Sequence, residues 1–190
     1  MANALTALRL ILAAPFAYLM VSGDSHHVLL AALILAVGIA TDLLDGLVAR
    51  RRGTASPRGR AFDHAADFVF VASGLAAGAA RGAFPWILPL LVAAAFAQYV
   101  VDSYWVDRRT TLRPSRLGRY NGILYFAPLA GDILMRAGFR FVRPLLIAVV
   151  WMLVVSTVVS MAERFLGSWR RRVELPCGAT EKEQTDRRVP

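Results

Sequence analysis

A chain of 190 residues with 57% apolar and 18% charged residues departs from the average soluble domain, roughly 45–50% apolar and about 25% charged. The excess lies in long apolar runs with most of the charge between them, which excludes a soluble domain, a disordered chain and a disulfide scaffold; the single Cys177 has no internal partner. The net charge of +9 comes almost wholly from arginine, Lys182 being the one lysine, and in such a chain points to anionic headgroups or phosphorylated substrates before nucleic acid.

A membrane-crossing helix needs roughly 20 mainly apolar residues. Six segments qualify in chain order: about 5–22, 28–49, 63–80, 84–106, 120–136 and 143–166. The expected fold is therefore all-α, a polytopic bundle of six transmembrane helices. Arg9 sits inside the first segment and no small-x-small site follows, so this segment reads as a retained helix and not as a signal peptide. Arg50, Arg51, Arg52, Arg58 and Arg60 crowd the 50–60 loop, and Arg108, Arg109, Arg113, Arg116 and Arg119 the 107–119 loop. Basic loops stay in the cytoplasm, so both loops and both termini are expected there. Arg136, Arg140 and Arg143 fall on the expected outer side, against that rule. Residues 1–167 read as one membrane domain. Residues 168–190 mix charges with Pro176, Gly178 and Pro190 and read as a flexible cytoplasmic tail.

Aspartates at the ends of two apolar segments carry the chemistry. Asp42 and Asp45 are three residues apart near the end of the second segment; Asp63 and Asp67 are four apart at the start of the third. Each spacing puts both carboxylates on one helix face. The basic loop between the segments lets the helices run antiparallel, so the pairs can converge. A charge inside a bilayer costs roughly 2.5–3.5 kcal/mol on insertion scales, and four acids together repel one another. A bound cation relieves both. The four designated ligands are all carboxylate oxygen, which favours Mg²⁺ or Mn²⁺ over Zn²⁺, and four acids suffice for two such ions. His64, next to Asp63, points about 100° away from it on a helix and reads as a packing residue before a supporting one. Gly46 and Ala49 are small enough for a backbone or ligand to come close, although plain helix packing needs the same residues. Gly59 is expected to break the chain before the third helix. Asp42 lies about 21 Å along its segment at 1.5 Å per residue. That puts the site in the cytoplasmic third of the membrane, where a lipid headgroup and a water-soluble reactant can meet.

Together these residues form the pattern Asp42-x2-Asp45-Gly46-x2-Ala49-Arg50-x8-Gly59-x3-Asp63-x3-Asp67. It resembles the signature of the CDP-alcohol phosphatidyltransferases at every fixed position. The resemblance implies transfer of a phosphatidyl group from CDP-diacylglycerol to an alcohol, with release of CMP. It also implies that Asp42, Asp45, Asp63 and Asp67 hold the metals, that Asp67 is the general base, and that Gly46, Ala49, Arg50 and Gly59 help to hold the nucleotide. Asn3-x-Leu5-Thr6-x2-Arg9, with Pro15 beyond, is similar to the opening of phosphatidylglycerophosphate synthases and eukaryotic-type cardiolipin synthases, which would bring Asn3 and Thr6 to the nucleotide. A plainer reading makes Asn3 a helix cap and Arg9 an interfacial arginine.

Arg113, Arg116 and Arg119 are the expected acceptor-binding residues, since guanidinium forks suit phosphate. A topology signal alone would also explain them. Glycerol 3-phosphate is the favoured acceptor, ahead of inositol phosphate and a second phospholipid. Asp102 is expected to pair with this loop; Asp132 has no assigned role. The enzyme is expected in the cytoplasmic membrane of a bacterium, its site facing the cytoplasm, with membrane lipids around it and no nucleic-acid partner. Members of the family often form homodimers, though these residues reveal no interface. The rival classes are a cation transporter built on the four aspartates and a catalytically silent membrane-binding protein.

Overall fold

The computed structural model describes residues 2–22, 24–52, 57–101 and 116–173, and these contain helices and turns but no strand. Seven α-helices follow in order: α1 (Ala2–Ser22), α2 (Val28–Arg52), α3 (Pro57–Ala80), α4 (Ile87–Val101), α5 (Arg116–Leu124), α6 (Phe126–Arg136) and α7 (Arg143–Val173). Short 3₁₀ turns, Ser25–His27 and Arg140–Val142, lead into α2 and α7. The expected all-α class is thus observed. Ala4–Ser22 and Arg140–Gly167 are long and apolar enough to cross a membrane, while Val28–Leu44 and Ile87–Val101 are shorter apolar stretches.

Three boundaries differ from expectation. The segment expected as one span over 120–136 is two helices that part at Tyr125. Pro128 explains the break: it has no N–H for the Leu124 carbonyl, and its ring crowds that carbonyl. Gly59 does not break the chain; it lies in the first turn of α3, which begins at Pro57, where a missing N–H costs nothing. Helix α7 runs on to Val173, beyond the expected end of the membrane domain at 167.

Helix α1 packs along α3 and α2. Phe16 of α1 stacks on Phe70 of α3 with ring centroids 4.8 Å apart, both fully buried. Gly74 makes this approach possible, because a Cβ there would lie 2.5 Å from the Phe16 ring. The outward surface is apolar as well: Ile11, Leu29, Leu33, Leu90, Trp151 and Val155 are all exposed. So broad an apolar exterior is foreign to a soluble monomer and fits a lipid surround.

The outer arginines have a structural role at the C-terminal end of α1. Arg81 Nε donates to the Met20 carbonyl at 2.9 Å, and Arg136 Nη1 to the Leu19 carbonyl at 3.1 Å. Arg136 Nη2 donates to the Asp24 carbonyl at 2.9 Å. Asp132, buried, pairs with Arg81. The last carbonyls of a helix lack intrahelical donors and carry partial negative charge, so cations settle there. That gives Arg136, which departed from the basic-loop expectation, carbonyl partners and gives Asp132 an ion-pair partner.

Candidate functional site

The acids converge at the other end of α1. Arg9 and Met20 are eleven residues apart, about 16 Å at 1.5 Å per residue. Asp42 lies on α2, and Asp63 and Asp67 lie one turn apart on α3. Carboxylate oxygens of Asp42, Asp63 and Asp67 all lie within 4.8 Å of one another. The antiparallel arrangement expected from the basic loop therefore brings three of the four aspartates together. Asp45 is in the same helix, but its side chain is outside the described residues, as are those of Asn3, Gly46, Ala49 and Arg50.

Arg9 sits among these acids and is fully buried. Its Nη1 lies 3.3 Å from Asp63 Oδ1 and also pairs with Asp67, while Nη2 is 3.8 Å from Asp42 Oδ1. Thr6, one turn earlier on α1, donates to Asp63 Oδ1 at 3.4 Å. The reading of Arg9 as an interfacial arginine is thus corrected. An arginine in an apolar helix needs anions, and these acids supply them. The signal was present in the sequence, since a charge well inside an apolar run calls for a partner. Thr6 is buried beside the acids.

A cavity of about 820 Å³ opens beside the acids and includes Asp42 and Asp67 in its wall. Val71, Val92, Phe96 and Phe126 give the wall apolar surface, and Asn121, Thr157, Ser160 and Arg164 add polar groups to it. His64 also lines it. The 100° offset from Asp63 told only half the story, because His64 and Asp67 are three apart and share a face. The His64 ring meets Tyr99 edge-on at 6.2 Å, and the Arg164 guanidinium lies 5.0 Å from the centre of the Tyr99 ring.

Polar residues of α7 were missed from sequence. Thr157, Ser160 and Arg164 recur at helical spacing within an apolar span, the signature of a polar stripe. The Tyr125 and Thr157 hydroxyls are 2.7 Å apart, and Ser156 Oγ donates to Asn121 Oδ1 at 2.7 Å, tying α5 and the helix break to α7. Of the expected acceptor residues, Arg116 and Arg119 lie on α5, whose Gly118, Asn121 and Gly122 line the cavity. Their side chains, along with Arg113 and Asp102, are outside the described residues.

The donor set suits a hard divalent cation: clustered, partly exposed carboxylate oxygens with no sulfur. A bundle that combines such a set with a large, mainly apolar cavity and an apolar exterior has the parts of a membrane enzyme acting on a phosphate-bearing lipid. The model of the CDP-alcohol phosphatidyltransferase family matches residues 1–162, and the chain belongs to that family. It is accordingly a transferase of phospholipid biosynthesis. Among individual proteins, it is similar to the "Probable phosphatidylglycerophosphate synthase" of Mycobacterium tuberculosis strain CDC 1551 / Oshkosh, with 29% identity over 160 residues, 79% of this chain and 77% of the relative. The protein of the same description in strain ATCC 25618 / H37Rv matches with the same figures. No solved structure matches.

Proposed function

We propose that this enzyme transfers the phosphatidyl group of CDP-diacylglycerol to a phosphorylated polyol, with glycerol 3-phosphate as the acceptor, and releases CMP. The observation that carries this reading is the convergence of Asp42, Asp63 and Asp67 beside a largely apolar cavity whose wall includes Asp42 and Asp67. The relatives described as phosphatidylglycerophosphate synthases support the acceptor. Six membrane segments, with residues 168–190 beyond the membrane domain and the site facing the cytoplasm of a bacterial cell, complete the proposal.

Asp42, Asp45, Asp63 and Asp67 would hold Mg²⁺ or Mn²⁺, with room in the donor count for two ions. When bound, such ions neutralise the diphosphate and stabilise charge on the departing CMP. Asp67 would take the acceptor's hydroxyl proton, a role that its position on the cavity wall supports. The hydroxyl oxygen then forms a bond to the phosphatidyl phosphorus as the bond to CMP breaks. Gly46, Ala49, Arg50 and Gly59, with Asn3 and Thr6, are the proposed nucleotide contacts. Arg113, Arg116 and Arg119 are the proposed contacts to the acceptor phosphate. The apolar wall excludes water, which would otherwise hydrolyse the diphosphate.

Family membership favours this enzyme over the cation transporter and the silent binding protein. The test is purified protein with CDP-diacylglycerol, Mg²⁺ and a panel of acceptors, the lipid products identified by mass. Phosphatidylglycerophosphate is expected with glycerol 3-phosphate. CMP release with only inositol phosphate or a phospholipid would move the acceptor; ion flux without CMP release would restore the transporter.

A further inference from the structure

The mechanism above leaves one charged group of the site without a task. Arg9 is fully buried, whereas the side chains of Asp42, Asp63 and Asp67 are 38%, 28% and 23% exposed. One guanidinium thus reaches three carboxylates from the protein side while the cavity reaches two of them from the other. Arg9 engages all three of the acids whose oxygens lie close enough to share a metal ion. Its contacts to Asp63, Asp67 and Asp42 include an Oδ1 atom of each, so a cation drawn to this cluster competes with the guanidinium for the same carboxylates.

We propose that Arg9 is a resident counter-ion of the acid cluster, displaced from the carboxylates when a divalent cation is loaded. The proposal rests on the metal reading above and adds a competition to it. Three converging acids without a cation would repel one another, and a tethered guanidinium removes that repulsion in the metal-free protein. A divalent ion brings more charge and claims the same carboxylates, so the two cations bind at each other's expense. The displaced guanidinium then needs another anion, since a buried arginine without one is costly. A diphosphate has the chemistry to serve. Metal and nucleotide-lipid would therefore favour each other's binding, by reciprocal coupling.

The test compares wild type with Arg9→Gln, Arg9→Met, Arg9→Lys and the distant control Arg81→Gln, all purified in detergent with Mg²⁺ and then stripped by chelation. Mn²⁺ binding is followed by the electron paramagnetic resonance signal of the free ion, and Tm is measured with and without Mg²⁺. Arg9→Gln and Arg9→Met are expected to bind Mn²⁺ about tenfold tighter, within the usual range of site-to-site coupling. They should also lose Tm when metal-free and recover it with Mg²⁺ by a larger step than wild type. Arg9→Lys, which keeps the charge, should stay near the wild-type affinity. Arg81→Gln should lower Tm with Mn²⁺ affinity unchanged. Equal or weaker Mn²⁺ binding by both neutral variants would overturn the proposal alone, leaving Arg9 as a partner that coexists with the metal. Failure of both to fold even in Mg²⁺ would also overturn it, because the metal then cannot replace the guanidinium. Absence of Mn²⁺ binding in wild type and variants alike would overturn the metal reading and this proposal together.

Discussion

Gly122 allows the cavity to be tested without disturbing the bundle. It lies in α5, lines the cavity, and a Cβ built on it meets nothing within 4 Å. A side chain added there would enter open space instead of the core. Glycine inside a helix costs about 0.8–1 kcal/mol relative to alanine, so Gly122→Ala should stabilise the protein by up to about that amount. For a chain of this size 1 kcal/mol corresponds to roughly 2–4 °C in Tm. Gly122→Phe should leave Tm near the wild-type value, because phenylalanine is also a better helix former than glycine. Its ring, however, would stand in a space of about 820 Å³ that the lipid must enter. If one filled position costs the substrate about 1–3 kcal/mol of misfit, comparable to overpacking a core, kcat/KM for CDP-diacylglycerol falls about 5- to 150-fold, each tenfold step being about 1.4 kcal/mol. CMP release and Tm in detergent are the two assays. A Gly122→Phe protein with unchanged Tm and an unchanged kcat/KM would refute the assignment of this cavity to the substrate. A large loss of Tm would refute the premise that the space is open.

Asp42→Asn or Asp63→Asn should abolish CMP release and Mg²⁺-induced stabilisation, and full turnover in a chelated sample with verified metal content would sink the metal site. Asp67→Asn should lose turnover more than it loses binding of the CDP-lipid, measured by lipid titration; equal losses would leave Asp67 as a ligand without a role as base. Arg119→Ala should raise the acceptor KM about 10- to 100-fold, from a charged hydrogen bond of about 1.5–3 kcal/mol, while Arg119→Lys recovers part and Arg171→Ala changes neither KM. If Arg119→Ala behaves like Arg171→Ala with every phosphorylated acceptor, the arginines serve topology alone and glycerol 3-phosphate falls as the acceptor. Asp132→Ala should cost about 3 kcal/mol or more in stability, because it strands Arg81 beside the end of α1, and the Asp132→Leu/Arg81→Leu pair should recover most of it in denaturant titrations; a strongly non-recovering pair would show that the ion pair itself is the stabilising element.

What this sequence determines by itself is what local pattern can carry. Apolar runs longer than a soluble core helix needs call for helices, because in lipid every backbone polar group must be satisfied within its own segment. Spacings of three and four put Asp42 with Asp45, and Asp63 with Asp67, on single faces whatever the fold does. The same arithmetic, applied to the polar residues of α7, would have revealed Thr157, Ser160 and Arg164, and Pro128 already marked the break at Tyr125. Tertiary structure alone decided which charges meet. Arg9 is 33 residues from Asp42 and more than 50 from Asp63 and Asp67, and only the packing of α1 against α2 and α3 brings them together. Arg136 likewise looked like an exception to the basic-loop rule, and Asp132 had no role, until the end of α1 and Arg81 were placed beside them. The reason is the same in both places. A charge buried in an apolar bundle must find a partner, but periodicity within one helix cannot say which helix supplies it.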